Sequence, residues 1–414
     1  QKNPNGALVE FNNLVKLNPE SAEAHFLLGK AYRAKQKYNA ALSEYEKARQ
    51  YGMDDYDLHL KISEALLYLM EFDKAVKEAE ICLSLRKDDP MVYFILGNAK
   101  AEKKDYQDAL SLFQKVLDHD PKFQSALVGM GTIYFMQNDM GKALPIFERA
   151  KALGPDDVRP YLSIADIYER QGKIPEAEKE VRSVLTKYPD LVSGHLKLGE
   201  LFIKQGKFEE ALSEGEKTLK QDPELIQSHL IMGTAYLGLT KYDQAEKELL
   251  LVTRENPKSV IPYFLLAQTY YHEKQMQQAI TMAKRVLEIS SDHVGANMIA
   301  GVSSLALNYL EDASHYFETA LKSDPKNPLA LNMLGTTYLE MGHLDDAIQA
   351  YQKALVLDPD LHVTHENIAN FYGVTGDFDK AISEYKIALQ LDPEQLGTRI
   401  RLILSYLMKK DYKK

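Results

Sequence analysis

One residue type recurs at a fixed interval of 34 along the whole chain. Alanine occupies all twelve registers of this period, namely Ala7, Ala41, Ala75, Ala109, Ala143, Ala177, Ala211, Ala245, Ala279, Ala313, Ala347 and Ala381. A fixed period of this length is the signature of a repeat array, in which each unit is one small supersecondary structure. The fold of this chain is therefore the fold of one unit, repeated.

Three further positions keep their type within the unit. A small residue stands twelve positions before most of the alanines, as at Gly97, Gly131 and Ala165, and a proline closes nine of the twelve units, as at Pro121. An aromatic residue often follows the small residue by three, as at Tyr134. Small residues let two helices approach closely, and we expect these aromatic rings to fill the space that they open.

The apolar residues between these marks have helical spacing. The stretch "HLKLGELFIKQGKFEEALSEGEKTL" from His195 places them three and four apart, with polar residues on the other face. Glycine or asparagine often breaks the unit at its middle, as at Asn138 and Gly172, and both residues tolerate the left-handed conformation that ends a helix. The pattern predicts helix, turn, helix in every unit, and an all-α fold.

This combination of small residue, aromatic, alanine and closing proline resembles the tetratricopeptide repeat. The resemblance covers the whole chain and implies a single array over 1–414, with eleven complete repeats at 22–395 and partial repeats at 1–21 and 396–414. It also implies an α-solenoid of 34-residue helix-turn-helix repeats, wound as a right-handed superhelix whose first helices line a concave groove. Because both ends cut through a repeat, we expect an excerpt of a longer protein, which could self-associate through its open repeat ends.

Composition excludes several classes of function. With 50 Lys and Arg against 60 Asp and Glu, the formal net charge is −10, which argues against a nucleic-acid partner. No apolar run approaches the ~20 residues of a membrane span. The single cysteine, Cys82, stands in a register that holds Ala48 and Val116 elsewhere, so we expect a packed thiol.

The sequence predicts no catalytic residue, no cofactor and no metal. The segment "GHLKLGE" at 194–200 has the glycine spacing of a phosphate-binding loop but lacks its lysine and hydroxyl residue. His362 and His365 form an HxxH pair, which is a weak zinc signal. We expect His365 to be a packed side chain and not a zinc ligand, because it shares its register with four other histidines, His25, His59, His195 and His229.

Function in this fold is expected on the groove positions, which lie three before, one after and four after the small residue. We define the apolar segment as the nine such positions in 226–327: Leu230, Thr234, Leu237, Phe264, Gln268, Tyr271, Met298, Val302 and Leu305. We define the charged segment, a secondary candidate, as Arg159, Asp166, Glu169, Arg170, Lys197, Glu200 and Lys204. The apolar segment is predicted to hold an amphipathic peptide, with packing within the chain as the open alternative.

Three branches of the family give different expectations. No repeat carries the lysine with which chaperone-tail adaptors hold a terminal carboxylate, and the asparagine ladder of the O-linked sugar transferases is represented only by Asn367. Residues 20–76 resemble the N-terminal region of long envelope proteins associated with exopolysaccharide export and exosortase systems. We therefore expect a non-enzymatic, protein-binding scaffold of a bacterial cell envelope. The alternatives are the substrate-recruiting region of a larger enzyme such as a glycosyltransferase, and a self-assembling array. The compartment stays open between periplasm and cytoplasm, with the periplasm favoured.

Overall fold

The computed structural model describes residues 4–154 and 157–411, and over those residues the chain is helical. The helices are α1 (Pro4–Leu17), α2 (Ala22–Ala34), α3 (Tyr38–Gln50), α4 (Tyr56–Tyr68), α5 (Phe72–Leu85), α6 (Pro90–Glu102), α7 (Tyr106–His119), α8 (Gln124–Met136), α9 (Met140–Ala152), α10 (Arg159–Arg170), α11 (Ile174–Lys187), α12 (Val192–Lys204), α13 (Phe208–Leu219), α14 (Ile226–Gly238), α15 (Tyr242–Glu255), α16 (Val260–His272), α17 (Met276–Ile289), α18 (Val294–Ala306), α19 (Leu310–Ser323), α20 (Pro328–Glu340), α21 (Leu344–Leu357), α22 (His362–Val374), α23 (Phe378–Leu391) and α24 (Leu396–Asp411).

Even-numbered helices from α2 onward begin the repeats, and we call them helix A; each is followed by an odd-numbered helix B. The two helices of a repeat pack together, and helix B then packs on the next helix A, as α17 does between α16 and α18. Because one pair of helices cannot bury its apolar face alone, each repeat completes the core of its neighbour. The predicted all-α solenoid of helix-turn-helix repeats is confirmed.

The chain divides into two compact units, residues 1–197 and 198–414. In the first unit a continuous core surrounds Phe113 and Phe147, and in the second unit smaller clusters follow one another along the chain, for example around Leu249 and Phe317. The extent of the array as a single domain over 1–414 stays a prediction.

The alanine register is the tightest part of the core. Eleven of its members, from Ala41 to Ala381, have no exposed surface, and only Ala7 is partly exposed. A larger side chain there would have to displace the neighbouring helix, because interiors are close-packed. The burial explains why this register holds one residue type throughout.

The glycine register makes room for a ring from helix B. A Cβ added to Gly29 would lie 2.5 Å from the Tyr45 ring, and one added to Gly301 would lie 2.6 Å from the Phe317 ring. The expectation that the aromatic residue three positions later fills this space is therefore wrong. The ring comes from sixteen positions later, because helix B folds back across helix A.

The turn inside each repeat contains one residue in the left-handed region. This register has φ between 57° and 82° in eleven repeats: Gln36, Met70, Lys104, Asn138, Gly172, Gly206, Thr240, Lys274, Asn308, Gly342 and Gly376. Its N–H bonds back to helix A, as Asn308 N–H does to the Leu305 carbonyl at 3.0 Å. The predicted left-handed break is confirmed, and its geometry recurs even where the residue is not glycine or asparagine.

Candidate functional site

The apolar segment lies on three successive A helices of the second unit, α14, α16 and α18. All nine of its residues are partly buried, so each one both packs within the chain and keeps surface open to a partner. Leu230, Leu237 and Tyr271 pack against the cluster around Leu249 and Leu266. Along these three helices the segment is a line of half-covered side chains.

Phe264 makes close contacts within the chain. Its ring lies 4.7 Å from the His293 ring, and a Cβ on Gly295 would lie 2.8 Å from its edge. Phe264 therefore packs into the following repeat. Truncation of this side chain would therefore have a structural cost, because removal of the ring would open a gap beside α18.

Met298, Val302 and Leu305 form the far end of the apolar segment. They pack against the buried Phe317 of the same repeat and the buried Leu334 of the next repeat. Thr234 uses its hydroxyl within its own helix, since Oγ1 donates to the Leu230 carbonyl at 2.8 Å. The segment therefore has two kinds of position, with apolar side chains that pack within the chain and polar side chains at Thr234 and Gln268.

The charged segment is organised around Lys197 in the first unit. Its ammonium group pairs with both Asp166 and Glu169, and the side chains of Lys197 and Glu169 are only 14% and 13% exposed. Burial lowers the pKa of Lys197, but its hydrogen bonds to the two carboxylates outweigh this effect and the pKa is raised. The Lys197 ammonium group is therefore already bound by two carboxylates within the chain.

The two arginines of the charged segment are also engaged. Arg159 Nη2 lies 2.5 Å from Asp157 Oδ2 and donates to Ser125 Oγ at 3.3 Å. The Arg170 guanidinium lies 3.9 Å from the centre of the Phe135 ring, at cation–π distance. Glu200 and Lys204 belong to the second unit and are exposed. A partner would have to displace existing bonds at Arg159 and Lys197, which weakens the case for this segment as a site.

A cavity of about 650 Å³ that the predicted residue sets did not include lies further along the second unit, among α20, α22 and α24. We call it the polar cavity. Asn367 Nδ2 donates to Asn332 Oδ1 at 3.0 Å and to Thr336 Oγ1 at 3.2 Å, and the Tyr385 hydroxyl lies 2.5 Å from Asn370 Oδ1. The signal that could have found it is the change from apolar to polar residues in the groove register at Asn332.

The histidines that share one register connect neighbouring parts of the repeat through their two ring nitrogens. We call this arrangement the histidine bracket. The Nδ1 atoms of His25, His59, His229 and His365 lie 2.5–2.7 Å from a glutamate nineteen positions later, as with His229 and Glu248. The Nε2 atoms of His25, His195, His229 and His365 face the carbonyl of the proline six positions earlier, at 2.6–3.2 Å. Each bracket joins helix A, helix B and the preceding turn.

Two other sequence features have clear positions. Cys82 has no exposed surface, and burial raises the pKa of its thiol to about 12, as expected of a packed side chain. Within 4–154 and 157–411, no three His, Cys, Asp or Glu side chains lie together in a group that could hold a metal ion. Over the same ranges no helix is long and apolar enough for a membrane crossing.

Sequence comparisons agree with this architecture. Profiles described as "Tetratricopeptide repeat" match residues 1–55, 60–122, 100–161, 162–225, 328–361 and 364–395, and a profile described as "Anaphase-promoting complex, cyclosome, subunit 3" matches 247–320. The chain is an array of helical repeats, and it belongs to the tetratricopeptide repeat family.

Individual relatives are distant. The chain is 27% identical over 113 residues to BBSome complex member BBS4 of Bos taurus, a region that is 27% of this chain and 20% of that protein. It is 26% identical over 121 residues to the formate-dependent nitrite reductase complex subunit NrfG of Escherichia coli O157:H7, covering 28% of this chain and 61% of that protein. It is 26% identical to Hsp70-Hsp90 organizing protein 3 of Arabidopsis thaliana over 29% of this chain and 22% of that protein. The chain thus spans only part of each relative.

A solved structure matches over nearly the full length. The crystal structure of the APC/C hetero-tetramer Cut9-Hcn1 superposes with a TM-score of 0.52 at 13% identity, over 96% of this chain and 92% of that chain. At 13% identity, this match is evidence for a similar fold alone.

Proposed function

We propose that this chain is a non-enzymatic scaffold that binds a protein segment along the apolar segment of its second unit. The observation that carries the proposal is the line of half-buried side chains on α14, α16 and α18, none of which is fully covered by the chain itself. Partly exposed apolar side chains on neighbouring helices are the usual receptor for the apolar face of an amphipathic peptide.

Charge supports this choice over the charged segment. At the registers one and four after the small residue, α16 carries the neutral Gln268 and Tyr271, whereas α10 carries Asp166 and Glu169. The α10 carboxylates are already paired with Lys197, so a ligand gains little by replacing that bond. A ligand on α16 loses no ion pair and gains the burial of apolar surface.

The proposed setting is a multiprotein assembly of a bacterial cell envelope. The resemblance of residues 20–76 to envelope proteins supports it, and so does the similarity to a bacterial reductase-complex subunit. The relatives described as a BBSome complex member and an Hsp70-Hsp90 organizing protein also have names that refer to assemblies of proteins.

The test is a pair of matched double variants. Peptides that bind the chain are first selected from a random display library. Thr234→Lys combined with Gln268→Lys then places two charges in the apolar segment without removing a packed ring. We expect the selected peptides to lose at least about tenfold in affinity, because a buried, unpaired charge is costly at an interface.

Thr281→Lys combined with Gln277→Lys is the control. It makes the same chemical changes on the exposed surface of α17, in the same part of the second unit. Its affinity for the selected peptides should match that of the unmodified chain. Equal losses in the two double variants would indicate a general charge effect, and no loss in the first would remove the apolar segment as the site.

A further inference from the structure

The repeat at 328–361 lacks the histidine bracket found elsewhere in the second unit. Where His229 and Glu248 meet at 2.6 Å, the equivalent positions three repeats later hold Leu331 and Ala350. Leucine has no donor to offer the Pro325 carbonyl, which corresponds to the Pro223 carbonyl that faces His229 Nε2 at 3.2 Å. This repeat has therefore lost a ring, a carboxylate and the bonds that joined them.

A cavity of about 410 Å³ lies at this position, lined by Pro325, Leu331, Lys353, Val356 and Leu357 together with two exposed glutamines of α21. We call it the outer pocket. It involves helix B and the turn before helix A, and none of its lining residues belongs to the apolar segment. A ligand site at the outer pocket therefore does not depend on the proposed function.

The chain supplies its own comparison for this pocket. A cavity of about 370 Å³ lies beside His229 and is lined at the equivalent positions by Pro223, Leu251, Arg254 and Glu255. Where that cavity has the charged Arg254 and Glu255, the outer pocket has Val356 and Leu357.

Val356 is the exceptional residue at the rim. It is 81% exposed, and its register holds the charged residues Arg254, Glu288 and Lys322 in the three preceding repeats. An exposed valine at the mouth of an apolar cavity favours an apolar ligand, because a ligand that covers the valine removes its apolar surface from water. Lys353, also on the lining, forms no ion pair among the residues that the structure describes.

We propose that the outer pocket binds an aromatic side chain of a protein partner, flanked by acidic residues. The ring would lie against Val356 and Leu357, where the cavity beside His229 has Arg254 and Glu255. A ring N–H would donate to the Pro325 carbonyl, whose counterpart at Pro223 faces His229, and a flanking carboxylate would pair with Lys353. An aromatic side chain supplies a large apolar surface with few rotatable bonds, which makes it an efficient anchor.

The test uses the peptide acetyl-Glu-Trp-Glu-amide as a probe and the full chain with ¹³C-labelled leucine and valine methyl groups. The indole ring should shift the methyl signals of Leu331, Val356 and Leu357 on titration. Val374, which is 73% exposed on α22, should not shift. Acetyl-Glu-Ala-Glu-amide and acetyl-Lys-Trp-Lys-amide should each bind at least about fivefold more weakly. Shifts spread equally over exposed methyl groups would overturn the proposal.

A variant built from the chain's own bracket gives the Pro325 carbonyl a histidine partner within the chain, as Pro223 has in His229. Leu331→His combined with Ala350→Glu restores the pair seen at His229 and Glu248, and we expect the probe to bind at least about tenfold more weakly. Leu396→His combined with Ala306→Glu makes the same changes at two exposed positions and should leave binding unaltered. Unaltered binding in the bracket variant would overturn the proposal.

Lys353→Glu keeps the test valid if the bracket variant fails to fold, because this side chain is exposed. The acidic probe should then bind at least about fivefold more weakly, and acetyl-Lys-Trp-Lys-amide should bind more tightly than it does to the unmodified chain. The same order of affinities as in the unmodified chain would overturn the charge complementarity on which the proposal rests.

Discussion

The charged segment of the first unit and the apolar segment of the second use the same registers of the repeat for different purposes. Asp166 and Glu169 stand where Gln268 and Tyr271 stand three repeats later, yet the two acidic residues hold Lys197 whereas the other two remain half-open. In the first region the charged side chains pair with each other, and in the second the apolar side chains pack within the chain and stay partly exposed. A repeat array can thus assign stability and recognition to different repeats without altering its backbone.

The largest expected effect comes from the removal of Lys197. Lys197→Met removes the ammonium group that pairs with Asp166 and with Glu169, and the Glu169 side chain is only 13% exposed. We expect the free energy of local unfolding to fall by about 2 kcal/mol, less than the full cost of breaking a completely buried pair. Hydrogen exchange of the α10 amides measures this loss. Lys103→Met is the control, since its partner Asp73 is exposed and the pair should contribute little. Equal exchange in the two variants would show that the Lys197 network does not stabilise α10.

The second effect concerns Phe264. Phe264→Ala removes a half-buried ring that packs beside Gly295. We expect the free energy of unfolding to fall by about 1–2 kcal/mol, since truncation of a fully buried phenylalanine costs about 3–5 kcal/mol. Exchange in α16 and α18 would report it. Phe264→Leu retains most of the volume and should cost less. If the alanine variant exchanges as the unmodified chain does, Phe264 is free for a partner and the packing alternative is wrong at this position.

The smallest effect is a pH dependence confined to the charged segment. The pKa of Lys197 is raised in the folded chain, so its contribution is fully present below the lysine pKa of the unfolded chain, about 10.4, and is lost as pH rises through the folded value. The difference in α10 exchange between the unmodified chain and Lys197→Met should therefore stay constant from about pH 6 to 9. A difference that fades within that range would contradict the assignment.

The sequence predicted the repeat, its helices and its left-handed turn because these depend on local rules that every copy obeys. Ala41 and its eleven counterparts have one role, and one residue type fulfils it. The filling of the glycine gap by Tyr45 and Phe317 was missed, because it depends on how helix B crosses helix A, and spacing along one helix does not report that crossing.

The sites were harder to predict for a related reason. The role of Lys197 depends on carboxylates 28 and 31 positions away, and that of Phe264 on the absence of a side chain at Gly295. The apolar rim of the outer pocket depends on Val356 and Leu357 lying beside the turn at Pro325, and a comparison with Arg254 and Glu255 in the equivalent cavity makes this visible. Departures from the repeat could be seen in the sequence, but their consequences depend on contacts between helices.

The most direct test of the central claim is the hydrogen-exchange footprint of a selected peptide on the full chain. We predict slower exchange in α14, α16 and α18 on peptide binding, with α10 unchanged, because the apolar segment receives the ligand and the Lys197 network is already satisfied. Protection of α10, or of α20 and α22 around the polar cavity, with no change in α14, α16 and α18 would contradict the account.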